Sequence, residues 1–456
     1  MQNSEKKKRR RLSPGQYSIL GFLLLITVGT LMLMLPAATV SGKSAGLGTA
    51  SFTAVSSACV TGLVVEDTAT FWSLFGQIVI LVLIQTGGLG IMTLAVLLSL
   101  LIKRSISPHE RMLIAQSLSI DSPGGVIRVV RRILKGTFII EFAGAVVLMT
   151  QFIPSFGFAD GAFRSIFISV SAFCNAGFDL FGDYSGKFSS LTAFSDNYIV
   201  NITVVLLIVI GGIGFVIWND LVNVLCRKGK MSAYSKFVII ISLSLLIIGT
   251  AGFMIIEWNN SATIGSSEFD KKFLRSLFLS ATTRTAGFNT VPMESLMPHS
   301  KFLSMILMFI GGASGSTAGG IKVGTAGLLF YVALLAARGQ SKVHLFKRQV
   351  PLHFVMRALS LVVIGLGVST AGALILSLPS ETIVFSSALF ESISAFATVG
   401  LSVGVTASAS VTGRLVLMIL MFFGRVGILT ITFSMYSRQV KKAEQITYPE
   451  INMLIG

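Results

Sequence analysis

FTAVSSACVTGLVVE (52–66), FISVSAFCNAGFDLF (167–181), LFLSATTRTAGFNTV (277–291) and FESISAFATVGLSVG (390–404) close in turn on Gly62, Gly177, Gly287 and Gly400, at intervals of 115, 110 and 113 residues. Each block begins at a Phe or Leu ten residues before its glycine, carries Ser or Ala six before it, and has a large apolar residue just after. Four similar loops in one chain imply fourfold pseudosymmetry, which is what a pore on a central axis needs.

Composition places that axis in a membrane. Apolar residues make up 53% of the 456 positions and charged residues 12%, against about 25% charge in a soluble domain. Apolar stretches long enough for the roughly 20 residues that a bilayer requires run over 18–36, 71–102, 136–154, 197–219, 237–256, 302–337, 358–380 and 415–437. The reading is eight spanning helices, with Lys322 and Arg425 as the cations inside them. The first span follows a basic stretch as a signal peptide would, but no small-residue cleavage site stands out and it opens the first repeat, so it is read as retained.

Lys and Arg near span ends stay cytoplasmic. The basic N-terminus, 103–135, 227–236, 338–357 and the tail after Ser437 hold 25 of the 36 cationic side chains. The four blocks fall on the opposite side with 9 basic and 12 acidic residues, so the mouth of a pore would be slightly acidic. Both termini are then cytoplasmic, and the positive-inside pattern accounts for most of the net charge of +17 without nucleic acid.

Each glycine block lies between two spans and follows some ten residues too short to cross. The expected unit is helix, half-helix with re-entrant loop, helix. Non-helical backbone at membrane depth survives only when buried in protein or lining a watery cavity. Half-helix C-termini bring partial negative charge to the membrane centre, and loop carbonyls can replace an ion's hydration shell. The fold class is therefore an all-α membrane protein of four pseudosymmetric helix–pore-loop–helix repeats around a central pore. Its parts are a basic N-terminus (1–17), repeats at 18–102, 134–226, 236–337 and 354–437, and a C-terminal tail (438–456).

These blocks and spans resemble the membrane subunits of the Trk/Ktr/HKT superfamily of potassium transporters over nearly the whole chain. Eight spans without extra N-terminal helices, and the ending YPEINMLIG, look most like the KtrB type. The resemblance implies that Val60, Thr61, Gly62 and Leu63, then Asn175, Ala176, Gly177 and Phe178, Thr285, Ala286, Gly287 and Phe288, and Thr398, Val399, Gly400 and Leu401 form a selectivity filter for K+. Only one glycine per loop remains relative to TVGYG, and only the fourth loop keeps TVG. Fewer carbonyl rings imply weaker discrimination against sodium.

A second glycine feature follows each block: GGLG (87–90), GGIG (211–214), GGASGSTAGG (311–320) and GRVG (424–427). The first two suit close helix contact. The third, with five glycines in ten residues, should not hold a helix at about 1 kcal/mol per glycine. In the family this segment is an intramembrane gate loop, a role that passes to Gly311, Gly312, Ala313, Ser314, Gly315, Ser316, Thr317, Ala318, Gly319 and Gly320.

Arg425 lies some eleven residues from either end of its span, where a cation is expensive and usually faces the interior with a partner. The expected partners are hydroxyls and carbonyls of the 311–320 loop. Lys322 either assists there or snorkels. Asn175 either meets the ion or braces its loop, Arg284 braces the third loop from behind, and Glu391 pairs with Arg284 or Arg275.

No P-loop, zinc signature or nucleophile elbow occurs, so the chain is not expected to be an enzyme. An inverted-repeat secondary transporter would need opposed halves in place of four like-oriented repeats. The resemblance further implies K+ as cargo, Na+ as a coupling or activating ion, a homodimer contacted through the tail after Tyr448, and a cytosolic ring of nucleotide-binding regulatory subunits. The surrounding lipids complete the partners.

Overall fold

Long runs of Leu, Ile, Val and Phe leave the backbone no polar partner but itself, and the chain folds accordingly into helices. The computed structural model describes residues 14–90, 112, 125–226, 229–340, 343–346, 348–378 and 383–427. The basic N-terminus up to residue 13, most of 103–135, the span ends 91–102 and 428–437 and the tail 438–456 lie outside the described residues.

The first quarter contains α1 (Pro14–Leu33), α2 (Gly46–Ala58) and α3 (Leu74–Leu89). The second contains α4 (Val126–Phe156), α5 (Phe158–Cys174), α6 (Tyr198–Gly212) and α7 (Phe215–Leu225), the last two meeting at 100°. The third contains α8 (Ala233–Ile256), α9 (Phe269–Thr282), α10 (Pro298–Phe309) and α11 (Val323–Ala337). The fourth contains α12 (Leu352–Ser377), α13 (Phe385–Phe396) and α14 (Val411–Val426). A two-residue hairpin, His344–Leu345 against Arg348–Gln349, is a small exception to the all-helical expectation.

Among the described residues, α1, α4, α8 and α12 are each long and apolar enough to cross a bilayer, and the bent pair α6–α7 is a fifth candidate. The expected continuous span at 197–219 breaks at Gly214, whose φ is +96°. The expected break in the third quarter is present between Phe309 and Val323.

Packing closes on itself. Each long first helix packs along the shorter helix that follows it, α1 on α2, α4 on α5, α8 on α9 and α12 on α13. Each later helix also packs on the short helix of the next quarter: α3 on α5, α6 on α9, α10 on α13, and finally α14 back on α2. Lipid is as apolar as leucine, so close fit rather than exclusion from water holds such contacts. Leu24, Ile139, Phe142, Ile247 and Val363 stay exposed on outward faces, as lipid-facing side chains do.

Candidate functional site

The short helices α2, α5, α9 and α13 each end just before a block glycine, and the chain then turns sharply. Gly62, Gly177, Gly287 and Gly400 have φ of +92°, +69°, +82° and +91°. Two residues earlier, Val60, Asn175, Thr285 and Thr398 are also left-handed, at +58°, +58°, +68° and +52°. The residue between each pair is not. Such a pattern belongs to neither a regular helix nor a regular strand. β-branched residues avoid positive φ, so strain at Val60, Thr285 and Thr398 marks a backbone held by its surroundings.

The four glycines form a closed ring. A Cβ placed on Gly62 would lie 3.0 Å from Gly177 Cα; on Gly177, 3.0 Å from Gly287 Cα; on Gly287, 3.3 Å from Gly400 Cα; and on Gly400, 3.0 Å from Gly62 Cα. The same atoms would press on the carbonyl oxygens of Ala176, Ala286, Val399 and Thr61 respectively. All four glycines line one cavity of about 500 Å³, whose charged lining is Asp67, Asp179, Glu294 and Lys187.

The side chains of Thr61, Leu63, Ala176, Phe178, Ala286, Phe288, Val399 and Leu401 are buried in the surrounding protein. With its amide nitrogen turned toward acceptors, Asn175 donates to Ala172 O at 3.0 Å and Ile208 O at 3.3 Å, so its side chain braces the loop.

Residues at or beside the Ser-or-Ala position six before each glycine hold the loops from below. Thr61 N, Ala176 N and Val399 N donate at 2.8 Å to the carbonyls of Ser56, Ser171 and Ser394. Gly62 N and Gly400 N donate to the hydroxyls of Ser56 and Ser394, both at 3.1 Å. The Ser171 hydroxyl donates to Phe178 O at 2.8 Å. In the third loop the corresponding position is alanine, and Thr282, one residue later, donates to Phe288 O at 2.7 Å. Ser or Ala six before each glycine was the available signal.

Glu391 does not pair with Arg284 or Arg275. It is fully buried and accepts from Ser402 Oγ at 2.5 Å, Val403 N at 3.0 Å, Val405 N at 3.1 Å and Thr406 Oγ1 at 2.7 Å. A carboxylate on a half-helix satisfies the turning loop above it better than it could reach another quarter. Arg275 instead meets Asp196 at 2.7 Å. Glu391→Ala should strand two loop amides at a cost of about 1–3 kcal/mol each, and thermal unfolding in detergent should start several degrees lower. Glu391→Gln, which keeps one acceptor oxygen, should lose less.

A carboxylate also sits inside a span expected to carry none. Glu141 on α4 is buried, accepts from Gln85 Nε2 at 3.1 Å, and its backbone carbonyl accepts from Ser169 Oγ at 2.6 Å. One acid among nineteen otherwise uncharged positions leaves the hydropathy of the span intact.

Beneath the ring lies the glycine-rich break. Gly311 N donates to Ile321 O at 2.8 Å and Val323 N to Gly312 O at 3.0 Å, closing 311–320 into a loop. Ala313 N donates to Gly212 O at 2.9 Å and Phe215 N to Gly315 O at 2.8 Å, tying it to the α6–α7 bend. Thr317 Oγ1 donates to Phe173 O at 3.1 Å. Arg425 donates to Thr317 O and Gly87 O, and to Gly88 O at 3.0 Å. It therefore holds loop carbonyls, not hydroxyls, and joins the loop to the end of α3. Lys322 Nζ donates to Ala318 O at 2.7 Å, directed at the loop rather than toward an interface, and Arg284 Nη2 to Gly311 O at 3.4 Å. Gly87, Gly211 and Gly424 each lie where a Cβ would strike the carbonyl of Ala58, Phe173 or Phe396, so the helix-contact reading of GGLG and GGIG holds, and GRVG shares it.

Outside the ring, an insertion in the second quarter bridges its neighbours. Asp67 accepts from Phe188 N at 3.0 Å, and Leu191 N donates to Asn289 O at 2.9 Å. Arg164 grips Asp183 at 2.5 and 2.8 Å, and its guanidinium holds that carboxyl below the usual carboxylate range.

The sequence pattern of TrkH, described as a cation transport protein, matches residues 15–236 and 231–442. The chain is 38% identical over 456 residues to the potassium/sodium uptake protein NtpJ of Enterococcus hirae, covering 99% of each. It is 35% identical to the Ktr system potassium uptake protein B of Bacillus subtilis, covering 100% of both chains, and 35% identical to that of Vibrio alginolyticus, covering 98% and 97%. The fold matches the crystal structure of the potassium transporter TrkH from Vibrio parahaemolyticus with a TM-score of 0.71 at 19% identity, over 94% of this chain and 86% of that one. Fold, full-length identity and pattern agree: the chain belongs to the TrkH family of cation transport proteins, helical proteins of the membrane.

Proposed function

We propose that this chain is the membrane subunit of a potassium uptake system, and that its four quarters are pore-loop repeats, 18–102, 134–226, 236–337 and 354–437, around one conduction path. The observation that carries this is the closed ring of Gly62, Gly177, Gly287 and Gly400 at the base of a 500 Å³ vestibule. K+ collects at the vestibule, where Asp67 and Glu294 outnumber Lys187, and such a field raises local cation concentration. At the ring, backbone carbonyls substitute for water. The C-terminal ends of α2, α5, α9 and α13 supply partial negative charge beneath.

The 311–320 loop is the gate. Arg425, Lys322 and Arg284 donate to its carbonyls, fixing it and adding positive charge on the inner side of the ring. Opening requires those bonds to break or shift.

Lys and Arg outside the spans favour an inward-facing basic surface, where a homodimer would dock a cytosolic nucleotide-binding ring. Support for a multi-subunit system comes from the relatives named for Ktr systems. The sodium in the name of the Enterococcus relative supports Na+ as a coupling or co-transported ion, and one glycine per loop favours modest selectivity against it.

Rubidium-86 uptake in bacteria lacking potassium uptake tests this, with and without a Ktr-type regulatory subunit, at varied external sodium. Uptake competed by potassium and stimulated by sodium is expected. A well-inserted protein that takes up no rubidium when supplied with its regulator would return attention to a secondary solute transporter.

A further inference from the structure

The α6–α7 bend opens a second cavity away from the ring. It measures about 320 Å³ and lies between α4 and the bend, within the range of small-molecule pockets. Ile133, Ile140, Ile210, Ile213, Phe215 and Trp218 wall it, and Arg132 and Asn219 stand in its lining. The cause is geometric: α7 leaves α6 at 100°, so it cannot continue alongside α4.

Trp218 is fixed within it. Its Nε1 donates to Ile210 O at 2.9 Å, and its ring meets the edges of Phe173 and Phe215 at centroid distances of 5.6 and 5.5 Å. Arg132 reaches Asn219 Oδ1 across the gap. Around Arg132, Arg128, Arg131 and Lys135 are exposed on the same end of α4. This end faces away from the vestibule, on the side that the positive-inside rule makes cytoplasmic.

An apolar slot beside α4, with the Arg132 guanidinium in its lining and Arg128, Arg131 and Lys135 exposed on the same helix end, matches one amphiphile in charge and shape. We infer that the cavity between α4 and the α6–α7 bend binds an anionic phospholipid of the inner leaflet, with an acyl chain against Trp218 and Ile213 and the phosphate on Arg132. Guanidinium matches phosphate through paired hydrogen bonds, and each basic residue at the surface adds attraction for anionic lipid. Lipid here has a route to the loop beneath the ring, because Gly211 and Gly212 accept from Thr317 N and Ala313 N, and Phe215 N donates to Gly315 O. A chain that fills the slot holds the bend and thereby the loop. This second step rests on the reading that the loop limits flux; binding does not.

The full-length protein is reconstituted in phosphatidylcholine vesicles containing brominated phosphatidylglycerol or brominated phosphatidylcholine. Quenching of Trp218 is taken as the difference between the protein and Trp218→Phe. The brominated phosphatidylglycerol should quench more deeply at equal content, and Arg132→Gln should reduce that preference about fivefold. Ile140→Trp, scored by native mass spectrometry for retained lipid, should diminish binding by filling the slot. Equal quenching by both lipids, or none by either, would overturn the site. Selective quenching with rubidium flux identical in the two membranes would leave the site standing and overturn its link to the loop.

Discussion

Gly400→Ala should reduce rubidium uptake by about 100-fold, the equivalent of about 2.7 kcal/mol, while the protein still inserts. Two penalties act together at this position. A left-handed alanine costs about 1–2 kcal/mol, and φ here is +91°. The added Cβ also collides with the Thr61 carbonyl and comes within 3.0 Å of Gly62 Cα. Neither neighbour can retreat, since Thr61 N is held by Ser56 O at 2.8 Å. The collision is with the backbone of another quarter, so the whole ring must deform. Gly42→Ala separates the two effects: its φ is +67° and nothing lies within 4 Å of the new Cβ. That variant should transport nearly as well as the parent. Similar losses in both variants would mean that backbone strain alone, and no ring, explains the first.

Deleting 312–319 should raise uptake, by about tenfold if the loop contributes a barrier of about 1.4 kcal/mol. The loop bridges the ends of α10 and α11 through Gly311 N to Ile321 O, so a shortened connection can still close. What it loses is the set of carbonyls that Arg425 and Lys322 hold beneath the ring. Arg425→Gln should raise uptake less or relax selection between potassium and sodium, because it frees the Thr317, Gly87 and Gly88 carbonyls but leaves the loop in place. Initial rubidium rates normalised to surface protein decide both. An unchanged or slower rate in a well-folded deletion variant would overturn the proposed gating role of the loop, and an unaltered Arg425→Gln would leave that residue a structural brace.

Much of the candidate site was legible because its determinants are local. A half-helix ending on a glycine is written in consecutive residues, and repetition about every 110 residues separates it from chance. The break at 311–320 was legible for the same reason, since five glycines cannot sustain a helix wherever they lie. Bracing partners were not. Ser56, Ser171 and Ser394 show in the sequence only as a recurring small position six before each glycine until their loops fold back over them, and Thr282 does the same work one residue out of register. Glu391 illustrates the limit: charge suggested a distant arginine, whereas the turn of its own loop brings four donors to it.

Sequence by itself determined that the chain lives in a membrane, how many apolar spans to expect, which surfaces are basic, and where four loops turn. Those properties depend on hydropathy, charge and backbone preference over some twenty residues or fewer. Only tertiary structure decided that Gly62 meets Gly177, that Gly400 returns to Gly62, and that Arg425 joins Thr317 to Gly87 and Gly88. These partners lie more than 100 residues apart in the chain. Their distances are set by how α3, α6, α10 and α14 each pack on the next quarter, and the same packing, with its 100° bend at Gly214, opens the basic-headed cavity that no local pattern announces.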